Sequence, residues 1–138
     1  MRGKKSFTLI EILVVVVIIA TLAALAWPNY LSIKEKTLNR EAKASLALIR
    51  AAEKIYRLEQ GFYYPYLAST SNVSDVNSFL KLSLPDSASV SWSISLNSTA
   101  APEFGTATRN GVGVDGRVWR HEFQNEDSTC SGGSYCPK

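Results

Sequence analysis

Residues 7–27 read FTLIEILVVVVIIATLAALAW, and this stretch decides the fold of the 138-residue chain. Only Thr8, Glu11 and Thr21 interrupt its run of apolar side chains. As an α-helix it would reach roughly 32 Å, which is about the thickness of the hydrocarbon core of a bilayer. Its β-branched centre is a poor helix former in water, but in lipid a helix satisfies its own backbone hydrogen bonds. The stretch therefore predicts a membrane-spanning helix.

The net charge of +3, from 15 Lys and Arg against 12 Asp and Glu, is concentrated ahead of this stretch. Without Arg2, Lys4 and Lys5, the basic and acidic residues balance. So mild a charge does not indicate a nucleic-acid-binding protein, and 46% hydrophobic residues are too many for a disordered chain. A short basic leader before an apolar stretch indicates a targeting signal whose start stays on the cytoplasmic side of a membrane.

An ordinary secretory signal is the alternative interpretation of this N-terminus. Ala24-Leu25-Ala26 fits the small residues of a signal-peptidase site, and cleavage there would release a soluble protein that begins at Trp27. The length of the apolar stretch and the acidic Glu11 within it argue against that interpretation, because a carboxylate inside a bilayer costs about 2.5–3.5 kcal/mol near its centre.

The sequence KKSFTLIE at residues 4–11 resembles the N-terminal signal of type IV pilins and type II secretion pseudopilins. The resemblance implies that a prepilin peptidase cleaves between Ser6 and Phe7 and that the new Phe7 amine is methylated. Glu11, fifth counted from Phe7, and Pro28, twenty-second, both match positions that the family uses. The family usually has Gly before the cut, and Ser6 is a small residue that is compatible with cleavage.

The resemblance also implies roles in subunit assembly for Phe7, Glu11 and Pro28. Glu11 would pair with the Phe7 amine of a neighbouring subunit, and the other interpretation is that it only reaches toward the membrane interface. Pro28 leaves the Ala24 carbonyl without its helical partner. It therefore either kinks a longer helix, which the resemblance favours, or ends the membrane helix.

After Pro28 no helix breaker occurs before Gly61, so the sequence predicts an amphipathic helix over residues 29–60 with Gly61 as its C-cap. Two apolar stripes recur at helical spacing. One stripe should pack on the protein's own sheet and the other on neighbouring helices. The first stripe is Leu38, Ala42, Ile49, Ala52 and Tyr56; the second stripe is Ala44, Leu48, Ala51, Ile55 and Leu58.

A basic row of Lys43, Arg50, Lys54 and Arg57 lies on the polar face of this helix. A row of charges on a helix is most often solvated. Pairing with acidic residues of adjacent subunits is a second interpretation, and weak, salt-sensitive binding of DNA is a third. We expect no more than a weak DNA interaction from four charges.

The remaining residues, 61–138, predict a β-rich head. Ser74 is expected to cap a short helix, and residues 90–96 alternate apolar and Ser side chains as a half-buried strand does. Asp115-Gly116 predicts a two-residue hairpin that joins strands at 112–114 and 117–123. In the second of these strands, Trp119, His121 and Phe123 share one face, and we expect His121 to be packed or hydrogen-bonded rather than a metal ligand.

Cys130 and Cys136 lie near the C-terminus, and in an exported domain they predict a disulfide. No metal site and no cofactor are predicted. The resemblance raises the question of calcium, because major pseudopilins hold it in a C-terminal loop, but the acidic residues of this head match no calcium-loop spacing. Those residues are Asp115, Glu122, Glu126 and Asp127.

The sequence contains no catalytic constellation, so we expect a structural protein and not an enzyme. The expected fold is α+β and pilin-like, with a long N-terminal α-helix packed on a small antiparallel β-sheet. The domains expected are a leader at 1–6, a transmembrane and assembly helix at 7–28, an amphipathic helix at 29–60 and a head at 61–138.

The resemblance implies the subunit of a type IV pilus-like filament that polymerises through its N-terminal helix. The alternatives are a type II secretion pseudopilin and a minor tip pilin that binds DNA or surfaces. The implied partners are identical or related pilins, an inner-membrane assembly platform and the prepilin peptidase with its methyltransferase activity. A single-pass precursor in the inner membrane would precede an extracellular or periplasmic filament.

Overall fold

The computed structural model describes residues 7–86, 91–111 and 115–137. The chain divides into two units, Met1–Glu35 and Lys36–Lys138. Helix α1, Leu9–Gln60, contributes residues to both units. All the other helices and strands that the structure describes belong to the second unit.

The second unit combines the end of α1 with one antiparallel sheet, so the predicted α+β architecture is confirmed. The five strands lie side by side in sequence order, which makes the sheet a simple meander. After α1 the elements are β1 (Ser69–Thr70), α2 (Val73–Leu80), β2 (Trp92–Asn97), β3 (Phe104–Arg109), β4 (Val118–Glu122) and β5 (Ser128–Ser131).

Two helix ends show why the chain turns where it does. Gly61 adopts a positive φ of 87° and its N–H donates to the Arg57 carbonyl at 2.8 Å, which confirms Gly61 as the cap of α1. The prediction that Ser74 caps α2 is wrong. Asn72 is the cap, because its side chain accepts a hydrogen bond from the Ser74 N–H at 3.1 Å, while the Ser74 hydroxyl bonds Asp86.

Strand β2 confirms the alternating pattern that predicted it. Trp92, Ile94 and Leu96 are buried against the core, and Ser93 and Ser95 face the other side of the sheet. The first stripe of α1 supplies the opposite wall of the same core, together with Leu46. The prediction that one of the two stripes packs on the sheet is therefore confirmed, and the structure shows that it is the first stripe. Val90 lies outside the described residues.

Strand β3 has no apolar pattern that the sequence could reveal, because small residues fill its buried face. Gly105 and Ala107 are buried at the centre of the sheet. A methyl group at Gly105 would lie 3.2 Å from Leu96 and 3.3 Å from Leu46. The side chains of α1 and β2 thus already occupy the space that a larger residue would need.

The predicted hairpin at Asp115-Gly116 is wrong. β4 pairs with β3 on one side and with β5 on the other, so neither of its edges is free for a strand at 112–114. Residues 112–114 themselves lie outside the described residues. Where the chain leaves β3 and enters β4, the Arg109 N–H donates to the Arg117 carbonyl at 2.9 Å.

A buried polar cluster ties α1 to β4 and to the C-terminal loop. Arg117 is completely buried; its Nε donates to Asn39 Oδ1 at 2.7 Å, and its Nη1 lies 2.8 Å from Asp115 Oδ1. Trp119 Nε1 donates to the same Asn39 oxygen, and Asn39 Nδ2 donates to the Tyr135 carbonyl at 2.8 Å. These bonds satisfy a guanidinium that would otherwise be very unfavourable inside the core.

Candidate functional site: the N-terminal helix

The first part of α1 presents apolar side chains that the described residues do not cover. Every large apolar side chain from Phe7 to Trp27 is at least 47% exposed, the least exposed being Val15. In the part of the chain that the structure describes, α1 is the one helix long and apolar enough to cross a membrane. So large an apolar surface requires lipid or other chains around it.

Glu11 lies in the first turn of α1, and its position is set by Thr8. The Glu11 backbone N–H donates to Thr8 Oγ1 at 3.3 Å and to the Thr8 carbonyl at 3.2 Å. Thr8 is therefore the N-cap of the helix, and Thr8 to Glu11 match the spacing of a capping box. The role of Thr8 was not predicted, although a Thr three residues before a Glu at the start of an apolar run is a sequence signal for a helix N-terminus.

The exposed Glu11 carboxylate is thus held on the first turn of the helix, four residues after Phe7 in the chain. The positive end of the helix dipole stabilises a negative charge at this place. Among the described residues, Glu11 and its neighbours on the helix are exposed, so a cation of another molecule can reach the carboxylate. This geometry is suited to pairing with a second chain.

Pro28 lies inside α1, which continues to Gln60. The interpretation that Pro28 ends the membrane helix is therefore wrong. A proline within a helix removes one backbone hydrogen bond, but α1 is helical on both sides of Pro28. The predicted kink and its role in assembly stay predictions.

The second stripe is exposed along its whole length. Leu48 is 49% exposed, Ile55 59% and Leu58 88%, and Ala44 and Ala51 are exposed as well. The head covers the first stripe and leaves the second stripe exposed. Each of the two units thus has exposed apolar surface of its own.

The basic row is not the uniformly solvated face that the sequence suggested. Lys43 Nζ lies 4.9 Å above the Trp119 ring, and the Arg57 guanidinium lies 4.8 Å above the Tyr63 ring. Arg50 is half-buried, with its Nε donating to the Phe123 carbonyl at 3.4 Å. Three of the four side chains therefore contact the head itself. The row as a partner face stays a prediction.

The structure separates the acidic residues considered for calcium. Asp115 is bonded to Arg117 and to the Tyr135 N–H; burial alone would raise its pKa, but these hydrogen bonds lower it overall. The other three, Glu122, Glu126 and Asp127, line a separate shallow pocket. Among the described residues, no three His, Cys, Asp or Glu side chains form a group that could hold a metal ion.

His121 is buried, and its Nε2 lies 3.2 Å from the Asn125 carbonyl. A carbonyl only accepts, so the proton is on Nε2. Burial lowers the pKa of His121 and favours the neutral ring. The prediction of a packed, hydrogen-bonded histidine is confirmed.

The predicted disulfide between Cys130 and Cys136 is present, with its Cα atoms 5.5 Å apart. Inside this loop, Gly133 packs so closely that a methyl group there would collide with Asp115 and Arg117. The loop is therefore fitted against the buried polar cluster of Arg117 and Asn39.

We expect replacement of both Cys130 and Cys136 by alanine to lower the free energy of unfolding by about 2 kcal/mol, because the unfolded chain gains the freedom of a short loop. Urea titration of the full chain in detergent micelles, followed by tryptophan fluorescence, measures this change. Identical midpoints for the parent and the variant would contradict a stabilising role of the bridge.

These features define a class of protein. It has a small head, an amphipathic helical segment, and an apolar N-terminal helical segment with one acidic residue in its first turn. Residues 1–27 match the family described as the prokaryotic N-terminal methylation motif. The chain is also similar to proteins of the two kinds that the sequence resembles, so this resemblance is confirmed.

Three relatives illustrate the similarity. The type II secretion system core protein G of Klebsiella pneumoniae is 36% identical over 63 residues, which are 46% of this chain and 45% of the relative. The protein of the same name from Pseudomonas aeruginosa is 44% identical over 64 residues, 46% of this chain and 44% of the relative. The type IV major pilin protein PilA of Myxococcus xanthus is 39% identical over 59 residues, 43% of this chain and 27% of the relative.

The matched regions span less than half the length of each of these relatives. No solved structure matches the chain. The similarity thus concerns less than half of this chain as well.

Proposed function

We propose that this chain is the structural subunit of a pilin-like filament that assembles through its N-terminal helix after removal of the leader. The observation that carries the proposal is the exposed apolar part of α1, which coincides with the methylation motif at residues 1–27. A helix of this kind is stable in a bilayer and, outside it, only among other apolar helices.

In this proposal, cleavage between Ser6 and Phe7 creates a cationic amine, which is then methylated. The Glu11 carboxylate of one subunit binds the Phe7 amine of the next as the helix leaves the membrane. Two opposite charges 4 Å apart attract by roughly 4 kcal/mol at an effective dielectric constant of 20, before desolvation is subtracted. The pairing would fix the axial register between subunits.

The proposed partners and location follow from this assembly. The precursor spans the inner membrane once, where a prepilin peptidase and an assembly platform act on it. The assembled filament, with identical or related subunits, is extracytoplasmic. The Cys130–Cys136 disulfide supports a head that folds in an oxidising compartment.

Mass spectrometry of the chain isolated from membranes tests the processing step. We expect a mature N-terminus at Phe7 that carries one methyl group, and we expect the Ser6→Gly variant to be processed at least as completely as the parent. A mature chain that begins at Trp27 would instead show cleavage by an ordinary signal peptidase and would contradict the proposal.

A type II secretion pseudopilin is the second candidate, because core protein G recurs among the relatives beside the type IV pilin. Deletion of this chain distinguishes the two functions. Loss of surface filaments in electron micrographs with unchanged protein export would support the pilus. Loss of exported proteins from the medium with surface filaments intact would support the pseudopilin.

A further inference from the structure

The residues of the second stripe recur along α1 more regularly than an apolar helix face requires. Its members follow one another at alternating steps of four and three residues. This is the spacing of the a and d positions of a heptad, at which two helices interlock side chains along a seam. Leu48 and Ile55 occupy the a positions, and Ala44, Ala51 and Leu58 occupy the d positions.

The surroundings of the second stripe leave room for another helix. All five of its members are exposed, so none is needed by the protein's own core. A shallow groove of about 300 Å³ runs between the stripe and the end of α2, and Phe79 and Leu82 form its far side. Ala44 and Ala51 are small, which allows a second backbone to approach closely.

The charged residues beside the second stripe indicate which partner helix can bind to it. Lys54 occupies a g position and Glu59 the e position five residues later, and both side chains are exposed. In a parallel pair of helices in register, a g residue of one helix faces the following e residue of the other. A second copy of this chain therefore places its Glu59 opposite Lys54 and its Lys54 opposite Glu59.

We propose that the second stripe pairs two copies of this chain, with their helices parallel and in register, while both are anchored in the membrane. The parallel direction rests on the proposed function, since both copies begin in the same bilayer. Ile55 at an a position and Leu58 at a d position are the combination that favours two strands.

The pair differs from the contacts of a filament. A two-fold pair uses the same surface on both copies and is closed, whereas a filament grows through contacts that displace each copy along an axis. Two heptads are too few for a stable coiled coil in water. Confinement in the bilayer supplies the high effective concentration that so short a seam needs. The pair is thus a form of the unassembled chain.

Cysteine cross-linking of the full chain in native membranes tests the register. Since Ile55 is 59% exposed, we expect the Ile55→Cys variant to fold and to form a disulfide-linked homodimer on mild oxidation. The matched control is Gln60→Cys, on the opposite side of the helix from the seam, which should not cross-link. Mass spectrometry then verifies that the introduced cysteines of the two copies join each other and that Cys130 and Cys136 stay joined within each chain.

A mixed population of Leu48→Cys and Leu58→Cys chains distinguishes the pair from staggered helices. In-register pairing forbids a link between positions 48 and 58, whereas an axial displacement of the kind found in filaments permits it. Three outcomes would each overturn the proposal: a 48–58 link, the absence of any 55–55 link, or an introduced cysteine at position 55 that joins only other proteins.

Charge reversal tests the partner contacts in the Ile55→Cys background. We expect Lys54→Glu or Glu59→Lys alone to reduce the 55–55 link by roughly three- to tenfold. Each single variant places two like charges opposite each other on both sides of the seam. The combined variant should restore it, and the exposed control Lys36→Glu should have no effect. Failure of the combined variant to restore the link would contradict the contact between Lys54 and Glu59.

Electron microscopy of the same strains separates this proposal from the function on which it rests. Filaments without a 55–55 link would refute the pairing and leave the filament function intact. A 55–55 link in cells that never form filaments would support the pairing and refute the filament function.

Discussion

Replacement of Glu11 by alanine should leave the head folded and abolish filaments. The head belongs to the second unit, which begins at Lys36, so its core contains nothing that depends on Glu11. Each subunit addition would lose its contact with the incoming Phe7 amine. A loss of only about 1.4 kcal/mol weakens a single contact about tenfold, and a filament repeats the contact at every subunit.

Sheared filament fractions and electron micrographs measure this effect, and circular dichroism of the detergent-solubilised chain verifies the fold. Glu41→Ala is the matched control, because it also removes one exposed carboxylate from α1 but lies in the second unit. Filaments from Glu11→Ala in the amount that the parent produces would remove the pairing role of Glu11.

Replacement of Glu53 by glutamine should stabilise the head at pH 8 and change little at pH 5. Glu53 lies on α1 and is completely buried. Its Oε2 accepts the Tyr64 N–H at 2.9 Å, and its Oε1 has no hydrogen-bond partner among the described residues. Burial raises the pKa of Glu53 from 4.5 to about 7, because a carboxylate is poorly solvated there, although the Tyr64 hydrogen bond acts in the opposite direction.

The sign of the pH dependence follows from this raised pKa. Between pH 4.5 and 7 the folded chain holds a proton on Glu53 that the unfolded chain releases. The contribution of protonated Glu53 to the free energy of unfolding is therefore fully present below pH 4.5 and is lost as the pH rises through 7. The loss amounts to about 3 kcal/mol in all. Glutamine keeps an oxygen that accepts the Tyr64 N–H and carries no charge. The Glu53→Gln variant should therefore lack this loss of stability between pH 4.5 and 7.

Thermal unfolding of the full chain in detergent at pH 5 and pH 8 measures the difference. The matched control is Glu59→Gln, which neutralises an exposed carboxylate on the same helix and should keep the pH dependence of the parent. Parallel pH profiles for the parent and Glu53→Gln would show that Glu53 is ionised in the folded head throughout.

Strong local patterns made four features of this structure predictable from the sequence. The apolar stretch predicted the first part of α1, and helical spacing predicted two apolar stripes, although it did not show which of them the head would bury. Strict alternation predicted β2, and two cysteines near the C-terminus predicted the disulfide. Each of these features depends on residues that are close together in the chain.

The features that could not be predicted from the sequence depend on contacts between distant segments of the chain. Strand β3 has small residues because α1 and β2 fill the space above them, and no local pattern reports that. Glu53 stands beside Lys54 in a charged helical segment and therefore resembles a surface residue, yet the turn around Tyr64 buries it. The hairpin at Asp115-Gly116 failed for the same reason, because β3 and β5 occupy both edges of β4.

The place where Thr8 begins α1 has a consequence for maturation. A cut between Ser6 and Phe7 leaves Thr8 as the second residue of the shortened chain, and its hydroxyl continues to hold the amide of Glu11. The proposed cleavage would therefore leave the first turn of α1 wound as it is. In the proposed processing, removal of the leader would change the terminus to a cationic amine, while the helix that follows would keep the same first turn.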